Sequence, residues 1–501
     1  MADNSKLISD ALQKTDPQLA QAIDARNSWD TAIAKRGARV KIYRNYERGE
    51  HRAKITDQMK KMLRISKDTA SELSDFNDNY CRVVVDKMAA RLVVSSIKAG
   101  EAADDWLKDT LTRNDFEAQQ SSWFRGGIRD GDSFVLIDPV TFLWASEPAY
   151  DGFSGVSVIF DSMTRKPVWA CKLWSEADTD DIAEGEQTTA VMKMVVYQPN
   201  TVSFWQGSTG GAEVEAVNGV ATEQGIDAET NVMPWPLGKI PIVHIANQLD
   251  NYTQYGESEL RPAVPLQDVL NRTLHSMVMA SEFSAFKLLW SIGFDVSVDG
   301  IVPGGIINLT VGDGKAYTPE DIEFLKAAKV GQFEATDLSQ YTGQIDKVVQ
   351  QISQATQTPI YGVTGQGGNI SGEALKQLEI GLLGKIERFQ RQNTDAIKEL
   401  VQMTAEMQNI FDGADNAPAL DTILVIWKPA EILDVNARIA ALSLVREKNP
   451  GLFPDDFYQE RIGSLLGLGA DDIAMVIEKA KDQQGLLFEA LAGGGGFVPP
   501  A

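Results

Sequence analysis

Residue types capable of covalent or metal chemistry are present in this chain, but not at the spacing such chemistry needs. Gly381-Leu-Leu-Gly384-Lys385 has the glycines and lysine of a phosphate-binding loop. Its spacing is too short, however, and Ile386 stands where a magnesium-binding hydroxyl is required. The apolar periodicity around it also predicts a helix interior, not a helix start. Gly365 and Gly367 begin a dinucleotide fingerprint whose third glycine is replaced by Ile370. Gly152-Phe-Ser-Gly155 lacks the spacing of a nucleophile elbow. His51, His244 and His275 stand apart, with no Cys or His at metal-ligand spacing, so no zinc site is expected. Asp178-Thr-Asp-Asp181 reads as a solvated loop rather than a metal site. No catalytic residue, metal ligand or cofactor is assigned, and no argument for an enzyme emerges.

A different chemistry is concentrated in Gly362-Val-Thr-Gly-Gln-Gly-Gly-Asn369, which carries amides and a hydroxyl but no charge. Its glycines deny it a fixed shape of its own, so the flanking elements must position it. Before it, Leu338, Tyr341, Ile345, Val348, Ile352 and Ala355 recur in alternating steps of three and four. That spacing makes a narrow apolar seam, suited to lying along another helix. Gln340, Gln344, Lys347, Gln351 and Gln354 lie off the seam and leave the remaining surface wet and nearly neutral. Pro359 ends this helix. After the loop, Ser371 can cap a second helix, with Glu373 in its first turn and Leu375, Leu378, Leu382, Ile386 and Phe389 as its stripe.

At 501 residues the chain is too long for one ordinary domain, and 43% hydrophobic with 23% charged residues is a globular composition. No apolar run is long enough to span a bilayer, and the N-terminus lacks a secretory pattern. Two cysteines far apart, Cys81 and Cys171, argue against a disulfide framework and for a reducing cytoplasm. A net charge of −23 excludes a general nucleic-acid coat. It still admits a surface past which DNA must slide without being held. The basic stretch Lys35–Lys67 reads as a solvated helical face or a partner contact, in preference to a nucleic-acid patch.

Residues up to about Gly100 read as mainly helical, and a second helical passage, Ala102–Arg125, ends near Gly126-Gly127. From Ser133 the period changes to two. Ser133–Asp138, Val156–Phe160, Pro167–Trp174, Val191–Tyr197 and Val202–Trp205 are predicted strands of an antiparallel meander, with Ile240–Ile245 closing an α+β domain. Glu257–Phe286 is the next helix, and its stripe of Gln267, Asn271 and His275 reads as a solvent face. A small excursion, Lys287–Thr336, follows, with strands at Leu288–Ile292 and Ile306–Val311 and a short helix near Glu320–Ala328. Thr422–Trp427 is a strand expected to return to the first sheet. Helices at Val435–Leu444, Pro454–Leu466 and Asp471–Lys481 precede a flexible tail.

In this order the features resemble the portal proteins of tailed bacteriophages over most of the chain. The segments that carry the likeness are Tyr43–Gly49, Asn79–Asp86, Gly126–Asp132, Gly256-Glu-Ser-Glu-Leu260, Leu266-Gln-Asp268 with Asn271, Ile352–Pro359, Ser371-Gly-Glu-Ala-Leu-Lys376 and Trp427-Lys-Pro429. The resemblance implies a portal-like α+β fold. Residues 1–256 would be an antiparallel-sheet wing, 257–286 and 337–357 long stem helices, and 287–336 an inserted small α/β clip. Residues 358–372 would be a tunnel loop, 373–430 a long helix returning to the wing, 431–485 a helical crown and 486–501 a flexible tail. It further implies a homo-oligomeric ring, usually of twelve subunits, at one capsid vertex, assembled in the host cytoplasm. Double-stranded DNA would pass through it during packaging and ejection. Terminase large subunit, head–tail adaptor, scaffold and major capsid proteins would be its partners; no membrane or cofactor is implied. On that basis Gln366, Gly367, Gly368 and Asn369 are candidates to touch the moving phosphate backbone through amides. Leu338, Tyr341, Ile345, Val348 and Ile352 are the stem seam. Trp290 and Phe294 are candidate contacts for adaptor or packaging ATPase, with core packing as the competing reading. Another phage head or connector protein, and an acidic hydrolase with an unrecognised carboxylate site, are the alternatives.

Overall fold

The switch from period two to steps of three and four divides the chain into a strand-rich first half and a helical second half. The computed structural model describes residues 3–24, 29–51, 77–100, 103–176, 191–218, 230–285, 289–292, 329–332, 337–359, 372–413, 423–430 and 435–448, with a few isolated positions besides. Two units divide the chain, residues 1–428 and 429–501. In the first, the helices are α1 (Ser5–Thr15), α2 (Pro17–Asp24), α3 (Trp29–Arg48), α4 (Tyr80–Ala89), α5 (Asp104–Arg113), α6 (Phe116–Asp130), α7 (Ala263–Ala285), α8 (Ser339–Ala355) and α9 (Gly372–Phe411). The described element of the second unit is α10 (Val435–Lys448).

Four sheets form among the described residues. Strands β4 (Gly155–Phe160), β5 (Pro167–Glu176), β6 (Val191–Tyr197) and β7 (Thr201–Ser208) make an antiparallel meander, without the Ser133–Asp138 strand expected in it, which pairs in a separate sheet. The short β8 (Glu215–Ala216) and β9 (Val232–Pro234) both pair with β7. A three-stranded sheet places β2 (Asp132–Ile137) between β10 (Ile242–Ala246) and β3 (Trp144–Pro148). Alternate residues of β5 and β6, among them Trp169, Cys171, Leu173, Met192, Met194 and Val196, turn to one side and are buried beneath Leu7, Ile8 and Leu12 of α1. The meander thus gains its second layer from the N-terminal helices.

Several expectations are corrected. The stretch before Gly100 is not helical throughout: Val94–Lys98 forms β1, in which Val94 and Ile97 are buried three apart, so that no period of two marks it in the sequence. The returning strand β13 (Leu424–Trp427) pairs with β1, not with the meander. The helical passage after residue 102 breaks at Asp115, whose φ of 45° is left-handed, and α6 then runs straight through Gly126-Gly127 to Asp130. Those glycines permit close packing: a Cβ on Gly126 would lie 2.8 Å from the Ser133 hydroxyl. Strand β3 was not foreseen, and neither was β12 (Lys329–Gln332), the partner of β11 (Leu289–Ile292). The strand expected at Ile306–Val311 and the helix at 471–481 lie outside the described residues; so do all but one residue of the helix at 454–466 and most of the helix near Glu320–Ala328.

Gly131 and Gly256 fix where β2 begins and where the chain leads into α7. Gly131 holds φ at +94°, and a Cβ on Gly256 would sit 2.0 Å from the Gly131 carbonyl oxygen, deep inside van der Waals contact. Gly343 is the opposite case, mid-helix in α8 with nothing within 4 Å. Gly256→Ala should therefore destabilise by about 3 kcal/mol or more through forced backbone displacement. Gly343→Ala should stabilise by about 0.5–1 kcal/mol. Thermal melts of the two variants beside the parent protein check both signs.

Candidate functional site

Lysine is rarely buried unless paired, yet Lys385 falls on the apolar stripe of α9 between Leu382 and Phe389. It is 5% exposed, and its Nζ pairs with Glu259 Oε2, itself on a residue 2% exposed. The same ammonium donates to the Thr356 carbonyl at 2.5 Å. The other oxygen of Glu259 accepts from Asn247 Nδ2 at 3.1 Å and from Gln248 Nε2. The Glu259 backbone N–H donates to the Ile128 carbonyl at 3.0 Å. The carboxylate and the ammonium thus join the end of β10, the approach to α7, the end of α8 and the middle of α9, and the Glu259 backbone adds α6.

The turn that closes α8 is fixed around this pair. Thr356 and Thr358 are buried. Ser353 Oγ donates to the Thr358 carbonyl at 2.7 Å, and Thr358 N–H donates back to the Ser353 carbonyl at 3.0 Å. Gly381 lies one helical turn before Lys385, and a Cβ there would approach the Gln357 Cβ to 3.2 Å. The sequence that mimicked a phosphate-binding loop is therefore a place where α9 packs against the end of α8. It lies inside a helix, as its periodicity required.

A second group of charges fastens α3 to the body. Arg44 meets Asp130 at 2.8 Å, Asp151 at 2.8 Å and the Ala149 carbonyl at 2.8 Å. Arg125 and Arg129 both reach Glu47, at 2.5 and 3.1 Å, and Arg129 also pairs with Asp130 at 2.7 Å. Arg36 pairs with Asp132 and lies over the Tyr255 ring, 3.4 Å from its centroid. Asp132 further accepts from His244 Nε2 at 2.6 Å and from the Gly256 N–H at 2.8 Å. Burial alone would push the Asp132 carboxyl up; Arg36, His244 and the Gly256 N–H outweigh it and hold the carboxyl below its ordinary range. Arg36 and Arg44 thus depart from the expected solvated basic face by meeting inward carboxylates, whereas Lys35, Arg39, Lys41 and Arg48 are exposed as expected and residues 52–67 lie outside the described residues.

The polar stripe of α7 is likewise not a solvent face: Gln267, Asn271 and His275 are all buried. Gln267 accepts from the Tyr80 N–H at 2.9 Å and donates to the Asp78 carbonyl at 2.8 Å. Asn271 accepts from the Asp78 N–H at 3.0 Å, which leaves its amide nitrogen to donate to His51 Nε2 at 2.9 Å. His51 stacks on Tyr46, whose hydroxyl donates to Asp268. Burial holds the His51 imidazole below its ordinary range against the opposing pull of Asp268 and the Asn45 carbonyl. These side chains take over hydrogen bonds that the start of α4 would otherwise lack.

None of this is arranged for turnover. Burial pushes both cysteine thiols up to about 12, so neither supplies a thiolate. Among the described residues no group of His, Cys, Asp or Glu is placed to hold a metal ion. The arrangement does one physical thing: it fixes where α7, α8 and α9 leave the body.

Of the seam residues, Val348 and Ile352 are buried and Leu338, Tyr341 and Ile345 half-buried, with α8 lying along α7. Val349 joins the buried set, whereas Ala355 is exposed. Gln366, Gly367, Gly368, Asn369 and Phe294 lie outside the described residues. Trp290 pairs with Gly331 through the β11–β12 backbone. Sequence reasoning missed Lys385 and Glu259, although a lysine on an apolar helical stripe was a signal in plain view.

Comparison with known proteins agrees on one family. A family model described as phage portal protein, SPP1 Gp6-like, matches residues 39–455. A portal protein of Mycobacterium phage D29 is 22% identical over 400 residues, which cover 77% of this chain and 75% of that protein. A portal protein of Mycobacterium phage L5 is 25% identical over 390 residues, covering 75% and 73%.

Two outcomes follow from these charges. Lys385→Met leaves Glu259 buried and unpaired and should cost about 3–5 kcal/mol; adding Glu259→Leu should restore a large part. Equilibrium unfolding of the single and double variants measures both. Because Asp132 titrates below its ordinary value when folded, its contribution is complete above about pH 4 and drains away as pH falls through the folded value. In Arg36→Gln the opposing positive charge is gone, so the acid limb of a stability-against-pH curve should begin at higher pH.

Proposed function

The chain belongs to the SPP1 Gp6-like family of phage portal proteins, and on that premise we propose that copies of it close into a ring through which the phage genome enters and leaves the capsid. The family is structural and not catalytic, which disfavours the hydrolase alternative. In this reading residues 1–256 are the wing, 257–286 and 337–357 the stem, and 287–336 the clip. Residues 358–372 are the tunnel loop, 373–430 the long helix returning to the wing, 431–485 the crown and 486–501 the tail. The ring, of about twelve copies, is a virion component at one vertex. It binds the terminase large subunit during packaging and the head–tail adaptor afterwards, and it meets scaffold and major capsid proteins during assembly. No helix among the described residues is long and apolar enough to cross a membrane.

The observation that carries the reading is the family match across residues 39–455. The Lys385–Glu259 pair supports the mechanical part. Lys385 grips the carbonyl of Thr356, four residues before the segment 360–371, and itself lies on the helix that follows that segment. A loop that touches a moving duplex must transmit or resist force at its two ends, and here the turn before it and the helix after it are tied to one buried charge pair. Uncharged Gln366, Gly367, Gly368 and Asn369 suit a contact that orients phosphates without gripping them.

Negative-stain images of the purified protein should show rings with a central hole, and a compact monomer would end the reading. Replacing Gln366–Asn369 with a rigid helix-forming segment should leave rings intact while DNA-filled heads become scarce. Packaging at the parental level would sink the role given to the loop.

A further inference from the structure

Two hairpins of this chain close with one and the same turn. In Asp138–Leu143, between β2 and β3, Asp138 Oδ1 accepts from the N–H groups of Val140 and Thr141 at 3.0 and 2.7 Å and from the Thr141 hydroxyl at 2.8 Å. In Asp161–Lys166, between β4 and β5, Asp161 Oδ1 accepts from the N–H groups of Met163 and Thr164 at 3.0 and 2.6 Å and from the Thr164 hydroxyl at 2.8 Å. Phe142 and Arg165 occupy matching places and are both left-handed, at φ 57° and 56°. Each turn holds its apolar residue outward: Val140 is 59% exposed and Met163 91%. An apolar side chain fixed in water by its own turn loses little further freedom when a partner covers it.

The turns stand at opposite ends of the sheet β10–β2–β3. The Val140 turn follows Ile137, where β2 ends. The Met163 turn lies toward Asp132, where β2 begins. There the Phe160 ring is 4.8 Å from that of His244, whose Nε2 meets Asp132, and Arg165 reaches the Asp250 carbonyl at 3.4 Å. Helix α6 packs on β2 and runs from Phe116, beside Trp144, at the first end to Asp130 at the second. At about 1.5 Å per residue the two ends are about 22 Å apart.

Their charges are opposite. At the Met163 end the exposed cations Lys35, Arg39, Arg165 and Lys166 outnumber the carboxylates Asp161 and Asp250, and Arg36 on Asp132 holds α3 in place there. Tyr252, 96% exposed, adds an aromatic ring. At the Val140 end the exposed acids Asp104, Asp105, Asp109, Asp115 and Glu117 outnumber Lys108 and Arg113. Arg113 fastens α5 to this turn by donating to the Thr141 carbonyl at 2.5 Å, and Leu143 is exposed beside Val140.

We propose that the Met163–Lys166 turn and Tyr252 of one copy dock on the Val140–Leu143 turn and α5 of the next copy, head to tail. The contact presupposes the ring of the portal reading and assigns its two faces. A head-to-tail contact between different surfaces of one chain closes into a ring when the rotation permits, and it requires those surfaces at opposite ends of a rigid body. Methionine and tyrosine belong to the side chains enriched at interface cores, and the opposite charges around them steer the approach and fix the register. Two Met163 ends facing each other would instead oppose cation to cation. Because the complementary surface is present on the chain itself, a second copy fits better than a different protein. The exposed cations at the start of α3 gain a use that the fold alone does not give them.

Placing p-benzoylphenylalanine at Met163 of the full-length chain, purifying rings and irradiating them tests the contact directly. Peptide mapping should find most adducts in residues 104–117 or 138–144 of a neighbouring copy. Adducts elsewhere on the neighbour, adducts only to another capsid protein in assembled heads, or none in intact rings each overturn the contact and leave the portal reading standing. If the unsubstituted chain forms no rings, the portal reading itself fails and the contact with it. A second arm reverses charge. Arg165→Glu with Lys166→Glu should raise the protein concentration for half-maximal ring assembly about tenfold. Adding Asp105→Lys with Asp109→Lys to the same chain should return it close to the parental value, which a folding defect at the hairpin would not allow. Unchanged assembly by the first pair, or no rescue by the second, overturns the contact.

Discussion

A charge removed from water must be neutralised where it lies, and the Lys385–Glu259 pair makes that demand of the end of β10, the approach to α7, the end of α8 and the middle of α9 at once. Its attraction acts in a poorly polarisable interior, while the cost of desolvating both groups is several kcal/mol per ion. Such a pair is tolerable only when every remaining lone pair and proton is met. Asn247 and Gln248 meet the second oxygen of Glu259 here, and the Thr356 carbonyl takes a second proton of the ammonium. Shifting α8 by a fraction of a turn would break the Thr356 contact, and sliding α9 would pull the ammonium from its carboxylate. The pair thus specifies register more than it adds stability. Around it the fold is arranged in the same manner, with Arg44, Arg125 and Arg129 cross-linking α3, α4 and α6 through Glu47, Asp86 and Asp130.

Elements with a sustained period were legible in the sequence. The meander β4–β7 and the helices α7, α8 and α9 follow from alternation or from three-and-four spacing repeated over many residues. Short elements were not. Strand β1 offers five residues and β12 four, too few for a period to stand out, and each exists because a partner distant in sequence pairs with it. Glycine misled where it serves packing: Gly126 and Gly127 looked like a helix end, yet they lie inside α6 where β2 and β10 come close.

The same logic explains what could be read of the site. The α8 seam was visible because apolar spacing reports directly on burial. The polar stripe of α7 was misjudged because the sequence shows a glutamine's polarity, not whether Asp78 and Tyr80 stand ready to satisfy it. Buried charge is harder still, since Arg36 and Asp132, or Glu259 and Lys385, are separated by about a hundred residues and reveal their pairing only in three dimensions. Lys385 is the exception, betrayed by its apolar neighbours.

The likeness to other portal proteins starts at residue 39, whereas the interior of the meander starts at α1. A chain trimmed to the boundary of likeness would keep every strand and uncover Trp169, Leu173, Met192, Met194 and Val196 to water. What relatives share and what must be synthesised together to fold are therefore different lengths of this polypeptide. The sheet's hidden face therefore depends on a cover that lies outside the residues the family model matches.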